Sequence, residues 1–328
     1  HAREAFIRDW NLWVRDLATG KETQLTTDGK PDYGYATDNA GWKHTDEAVV
    51  AWSPDGRKIA TFRQDQRKTS TMTLVATNVG APKVEQWKYP FVGDQDITLI
   101  ERVVIDLTGA APKLVRLQMP PDQHLSTCSD DRVCSKGWED VQWAKDGKTL
   151  AVGSTDRGHE SASVRGADAA TGEVRDVYVE TVKTQYQSAP ALASANWRYL
   201  PESNEFLWFS QKSDWGHLYL HDLATGKLKR QVTSGDWNVT EITHVDPASR
   251  TLWFRGVGHE AGDPYYVHFY KVGLDGGDVR LLTPEDANHV IMPSDDGNYF
   301  LDVYSTIDTA PVALLRDGDG KQLAVLAR

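Results

Sequence analysis

Long hydrophobic runs are missing from this chain. None approaches the ~20 consecutive apolar residues that a membrane-spanning helix needs, so no bilayer span is expected. Positive charge is also in short supply: Lys and Arg number 36 against 47 Asp and Glu, a formal net charge of -11. That balance disfavours nucleic-acid phosphates and anionic membrane faces as main partners. Cysteine is nearly absent. Cys128 and Cys134 stand together in the polar loop STCSDDRVCSKGW. A disulfide between them would close a small ring and suit an oxidising compartment such as the periplasm; a pair of exposed thiols is the other reading. A zinc site would need two more ligands nearby, and none is visible. No signal peptide opens the sequence. HAREAFIRDW enters the first strand pattern almost at once, which reads as a processed or truncated start. No segment sustains a 3.6-residue apolar repeat, so little helix is expected.

What the chain has is repetition. LWVRDLATGKETQLTTDG from Leu12 returns as LYLHDLATGKLKRQVTSGDW from Leu218, with weaker copies from Arg165 (RGADAATGEVRDVYVE) and Phe269 (FYKVGLDGGDVRLLTPED). Each is an alternating strand, a D-x-x-T-G or D-G-G turn and a second alternating strand, the pattern of a Gly-assisted β-hairpin. The turn acids Asp16, Asp168, Asp222 and Asp275 lie 152, 54 and 53 residues apart. A second element lies between these hairpins: VVAWSPDGRKIATF from Val49, DVQWAKDGKTLAVGS from Asp140, ANWRYLPESNEFLWFS from Ala195, THVDPASRTLWFRG from Thr243 and VIMPSDDGNYFLDVY from Val290. Together the two make a four-stranded antiparallel unit of roughly 50 residues, the period of a β-propeller blade. The expectation is an all-β chain, residues 1–328 forming one propeller domain of about six blades. Its first blade is represented by an outer hairpin, and the stretch from Ser53 to Leu125 forms one long, decorated blade. Twelve Trp fit this reading, because a β-rich chain uses Trp at repeated packing positions.

Catalytic constellations are scarce. No G-x-S-x-G elbow occurs, so the strand-turn-helix that exposes a hydrolase serine is missing. His217 and His221 in GHLYLHD lie four apart; on a strand they share one face with Tyr219 and are read as surface or channel packing. RDGDGKQL from Arg316 resembles the start of a calcium loop, but the later ligands are missing, and a hairpin turn is expected. GVGHEAGDPYYVHFY from Gly256 is read as a long hairpin loop whose Tyr side chains pack on the neighbouring blade.

FLWFSQKSDWGHLYLHDLATGKLKRQVTSGDWNV from Phe206 closely resembles the propeller of the dipeptidyl peptidase IV family of prolyl-oligopeptidase-type serine peptidases. WSPDGRKIATFRQD from Trp52, the KYP of WKYPFVGD and the LWVRDLATGKETQLTTDG hairpin follow in the family's order, so the resemblance covers essentially the whole chain. It implies an eight-bladed propeller followed by an α/β-hydrolase domain that carries a Ser-Asp-His triad. This sequence would then hold only the propeller part and lack both the triad and the propeller arginine that helps bind the substrate carbonyl. The family also uses a Glu pair, in a D-W-x-Y-E-E-E segment, to grip the substrate's free α-amino group through charge-assisted hydrogen bonds. The corresponding stretch here is DYGYATDNAGW. Asp32 and Tyr35 keep the frame, the Glu-Glu positions fall on Ala36 and Thr37, and Asp38 follows. Substrate contact is therefore expected at Tyr35, Thr37 and Asp38, with Asp38 as a single, shorter replacement for the pair.

The function expected is that of a non-catalytic propeller that gates access and positions a peptide's N-terminus over a hydrolase domain outside this chain. The parent would be a periplasmic or secreted peptidase without metal or organic cofactor, and family members often dimerise. This chain alone should have no peptidase activity. The other class considered is a self-contained propeller acting as a protein-interaction scaffold. A propeller glycosidase would need paired carboxylates about 5–9 Å apart, and the sequence offers no way to pair them.

Overall fold

The repeated turns fold through their own side chains. In the first, the Asp16 carboxylate accepts the Ala18 and Thr19 N–H groups at 3.1 and 2.8 Å and the Thr19 hydroxyl at 2.8 Å. Asp168 does the same with Ala170 and Thr171, and Asp222 with Thr225. The Gly closing each turn takes a positive φ, 70° at Gly20, 75° at Gly172 and 69° at Gly226, which a side chain would make costly. The D-x-x-T-G motif is thus a complete local hydrogen-bonding unit. Asp275 departs from it: with D-G-G in place of D-x-x-T-G, its carboxylate pairs with Arg250 instead.

In this computed structural model, residues 2–37, 46–123, 138, 140–187 and 196–327 are described. Among them the only helical element is the 3₁₀ turn Pro201–Ser203. The chain divides into two compact units, His1–Gln185 and Tyr186–Arg328. In the first unit, Arg3–Arg8, Asn11–Asp16 and Glu22–Gln24 form a three-stranded antiparallel sheet. A larger sheet follows. Tyr33–Tyr35 and Ala51–Trp52 both pair with Lys58–Asp65, which pairs with Leu99–Asp106, and that strand with Lys113–Arg116 and Asp122–Gln123. The decoration foreseen within this stretch is a separate hairpin, Thr71–Ala76 with Lys83–Lys88. The unit ends with a four-stranded sheet of Val141–Trp143, Thr149–Thr155, Ser161–Asp168 and Val174–Thr181.

The second unit contains three four-stranded antiparallel meanders. They are Trp197–Leu200 to Leu228–Gln231, Asn238–Asp246 to Arg280–Leu281, and Asn288–Pro293 to Gln322–Ala327. RDGDGKQL is the turn of the last hairpin, between Val312–Asp317 and Gln322–Ala327. The core lies between neighbouring sheets: Leu207, Phe209, Leu218 and Leu220 of one meander cluster with Val239, Ile242, Leu252, Phe254 and Tyr270 of the next. Burying each such side chain contributes about 1.5–3 kcal/mol. A recurrent latch closes three hairpins. Thr26, Thr233 and Thr283 accept, through their hydroxyl oxygens, the backbone N–H of Leu12, Leu218 and Phe269.

Three expectations need correction. His217 and His221 are fully buried, because every side chain from His217 to His221 is covered on both faces of its strand. His217 bonds Thr233 and the Gly235 carbonyl, and His221 the Gly226 carbonyl. Of the aromatic loop residues, Tyr265 stands in solvent at 85% exposure rather than packing on a neighbour. The tryptophans are less uniform than the repeat suggests: Trp87, Trp138, Trp197, Trp208 and Trp237 are buried, but Trp10 and Trp215 are exposed.

Candidate functional site

The segment singled out from sequence begins as the short strand Tyr33–Tyr35, whose register with Lys58–Asp65 sets Tyr33 opposite Asp65 and Tyr35 opposite Arg63. Gly34 between them is required by close packing, since a Cβ there would meet Thr37 Cγ2 at 2.9 Å and Trp10 Cβ at 3.1 Å. The strand stops at Ala36, which is fully buried with φ of 56°. A left-handed conformation costs a non-glycine residue about 1–2 kcal/mol, and such strain concentrates at functional segments. Its physical effect is to break the two-residue alternation. Thr37 does not continue the Tyr35 face; its hydroxyl donates to Gln64 Oε1 at 2.8 Å. Asp38, the residue expected to meet a substrate amine, lies outside the described residues.

Around Tyr35 the strand builds a charged network. Tyr35 Oη donates to Asp28 Oδ1 at 2.8 Å. Burial, and then this carboxylate, push the phenol up to about 12. Arg63 Nη1 bonds Asp28 Oδ2 at 3.0 Å, and its Nε and Nη2 bond Glu101 Oε2 at 3.1 and 2.5 Å. Its guanidinium lies 4.2 Å from the Tyr33 ring centroid, and that of Arg67 lies 4.0 Å from the same ring. Arg116 stands at 3.9 Å from Asp28 and 4.0 Å from Glu101. The Arg63 guanidinium is buried, whereas the Asp28 and Glu101 side chains keep 55% and 35% exposure. Asp32 ties the segment to the inserted hairpin's base: Gln66 Nε2 lies at 3.4 Å and Lys88 Nζ at 4.0 Å.

This geometry separates Tyr35 from Thr37, two of the expected contact residues. The Tyr35 hydroxyl donates to Asp28 and so ties its strand to the network. Thr37 faces Gln64, away from the network. Sequence reasoning passed over Asp28, Arg63 and Glu101, although an arginine at the centre of the apolar strand KIATFRQD was a usable signal, because a charge on such a strand demands a partner.

A second polar cluster closes the last sheet. His289, Asp302, Glu285 and Arg316 are joined by short hydrogen bonds, with the His289 and Asp302 side chains wholly buried. Glu285, His289 and Asp302 form the one group among the described residues whose ligand-type atoms lie within 4.8 Å of one another. The Arg316 guanidinium lies on both carboxylates, so the cluster carries its own cation, whose charge would oppose that of a metal ion there.

An all-β chain of repeated four-stranded antiparallel sheets, with a polar cluster where the second sheet begins, defines the class. A family model described as the dipeptidyl peptidase IV (DPP IV) N-terminal region matches residues 1–311, and the chain belongs to that family. It is 24% identical over 346 residues to a probable dipeptidyl peptidase 4 of Aspergillus flavus, covering 95% of this chain and 42% of that protein. It is 29% identical to a probable dipeptidyl-aminopeptidase B of Verticillium alfalfae, covering 87% of this chain and 33% of the relative. Among solved structures, the dipeptidyl peptidase 4 of Porphyromonas gingivalis superposes with a TM-score of 0.77 at 20% identity, over 99% of this chain and 44% of that one. The chain thus spans less than half the length of these relatives and corresponds to their N-terminal, DPP IV-like portion.

Proposed function

We propose that this chain is the β-propeller of a dipeptidyl peptidase IV-type serine peptidase, with about six of its blades and no catalytic triad of its own. It admits peptides and holds their N-terminal end for cleavage by an α/β-hydrolase domain outside the chain. The observation that carries this reading is the match of residues 1–311 to the family's N-terminal region, combined with coverage of only 42% of a relative's length. The four-stranded antiparallel meanders support the propeller, and the strained, polar-braced turn at Ala36 supports a ligand-facing role for the residues after it. The parent acts on free N-termini, with Asp38 holding the substrate ammonium where relatives of this type use a Glu pair. A periplasmic or secreted location and a homodimer belong to the same reading.

Two experiments test it. The purified chain should not hydrolyse a proline-ended dipeptide reporter, and turnover by the chain alone would overturn the assignment. In the full-length parent, Asp38→Ala should raise KM for free-N-terminus peptides selectively and leave N-acylated substrates unaffected. An unchanged KM would return the segment to the role of a connector.

A further inference from the structure

We infer that His289 and Asp302 form a buried proton-binding site, in which the pair retains one proton beyond those of a neutral imidazole and a carboxylate. His289 Nε2 lies 3.1 Å from the Glu285 backbone carbonyl oxygen, which can only accept, so Nε2 carries a hydrogen. His289 Nδ1 lies 2.6 Å from Asp302 Oδ1, so a proton must also lie between those two atoms. A neutral imidazole has one N–H and cannot serve both acceptors. Whether the second proton is drawn on the nitrogen or on the oxygen, the count for the pair is the same. Arg316 decides its location. Its Nε donates to Asp302 Oδ2 at 2.9 Å, which keeps the carboxylate ionised and the proton on the ring.

The surrounding charges demand the same count. Arg316 Nη2 also pairs with Glu285 Oε1 at 2.6 Å, and Glu285 Oε2 is buried with no hydrogen-bond donor. Two carboxylates against one guanidinium leave a negative charge, centred on the wholly buried Asp302 with Glu285 29% exposed, and an imidazolium neutralises it. The remaining neighbours do not supply that charge. The Tyr304 ring stands 5.5 Å from His289, and the His268 ring 5.2 Å away. Burial lowers the His268 pKa and favours its neutral form, while its Nδ1 lies 3.0 Å from the Thr283 carbonyl; the Glu260 and Asp286 carboxylates act in the opposite, weaker sense. The site joins three strands of the last sheet, Asn288–Pro293, Tyr299–Ser305 and Val312–Asp317. Loss of the proton would set the Nδ1 lone pair against the carboxylate.

Nitrogen-15 spectroscopy of the whole chain with labelled histidines provides the test, with the His289 signals assigned by their absence in His289→Gln. At pH 8, an ordinary histidine with a pKa of about 6.5 is neutral. At that pH both His289 ring nitrogens should remain at their protonated positions. A neutral single-tautomer pattern at pH 8 would overturn the inference. Asp302→Asn sharpens the test, because an amide nitrogen can donate to Nδ1. In that variant His289 should revert to the neutral tautomer protonated at Nε2 alone, and persistence of the doubly protonated ring would contradict the assigned pairing. The wild-type spectrum decides the matter alone if Asp302→Asn does not fold.

Discussion

The two polar networks use the same side-chain chemistry and differ in access to water. Arg63 joins Asp28 and Glu101, whose carboxylates are 55% and 35% exposed. Arg316 joins Asp302 and Glu285, but the Asp302 side chain is wholly buried, as is that of its partner His289. In water an ion pair is screened, and breaking it frees groups that resolvate. In a sealed site the partner left behind has no recourse, so the same contact becomes obligatory. The first network can therefore brace the Tyr33–Tyr35 strand while keeping acids available at the surface. The second is fitted to hold a sheet together.

The largest break should come at the buried His289–Asp302 pair. Asp302→Ala leaves Arg316 and His289 with Glu285 alone, and should destabilise the fold by about 3–5 kcal/mol in thermal or denaturant unfolding. A loss below about 1 kcal/mol would mean that water reaches the cluster after all.

Glu205 is an intermediate case: its side chain is 2% exposed, but its partners Arg250 and Lys229 are 31% and 41% exposed. Burial alone would raise its carboxyl, yet the hydrogen bonds from Arg250 and Lys229 overcome this and hold it at about 2, against an ordinary 4.5. A depressed folded-state value means that the stabilisation is fully present above pH 4.5 and is lost as pH falls toward 2. Glu205→Gln should therefore cost about 2–3 kcal/mol at pH 7, with the gap to wild type closing across that acid window. A gap independent of pH would assign the effect to packing rather than charge.

In the open network, Arg63→Met should cost only about 1–2 kcal/mol. Raising ionic strength should shrink that difference, because Asp28 and Glu101 face solvent. The Asp302→Ala penalty should persist in the same salt series, and equal salt sensitivity in both variants would erase the distinction drawn here.

Much of the fold was legible because its determinants are local. The D-x-x-T-G turns around Asp16, Asp168 and Asp222 carry their own hydrogen-bond partners within three residues, so sequence alone specifies them. The networks were not legible in this way. Arg63 meets Glu101 across 38 residues and Asp28 across 35, and Asp302 meets Arg316 and His289 from neighbouring strands. Such pairings depend on register, which turn chemistry and alternation leave open. Arg316 was visible only as the first residue of a calcium-like turn, and Asp302 as one acid in the apolar run YFLDVY. The direction of Thr37 was hidden for another reason: the positive φ at Ala36 turns it off the face that simple alternation would assign.

The smallest effect should come from Thr37, beside the open network but outside it. Its hydroxyl donates to Gln64 Oε1 at 2.8 Å, in a contact both residues bury. Valine keeps the shape and removes the donor. Thr37→Val should cost about 1 kcal/mol, the net value of one neutral hydrogen bond. The urea midpoint should shift slightly with an unchanged slope. A loss approaching that of Asp302→Ala would mean that the Thr37–Gln64 bond, rather than the Arg63 network, is what holds the strained turn at Ala36. The comparison would then have to be redrawn around a single neutral bond.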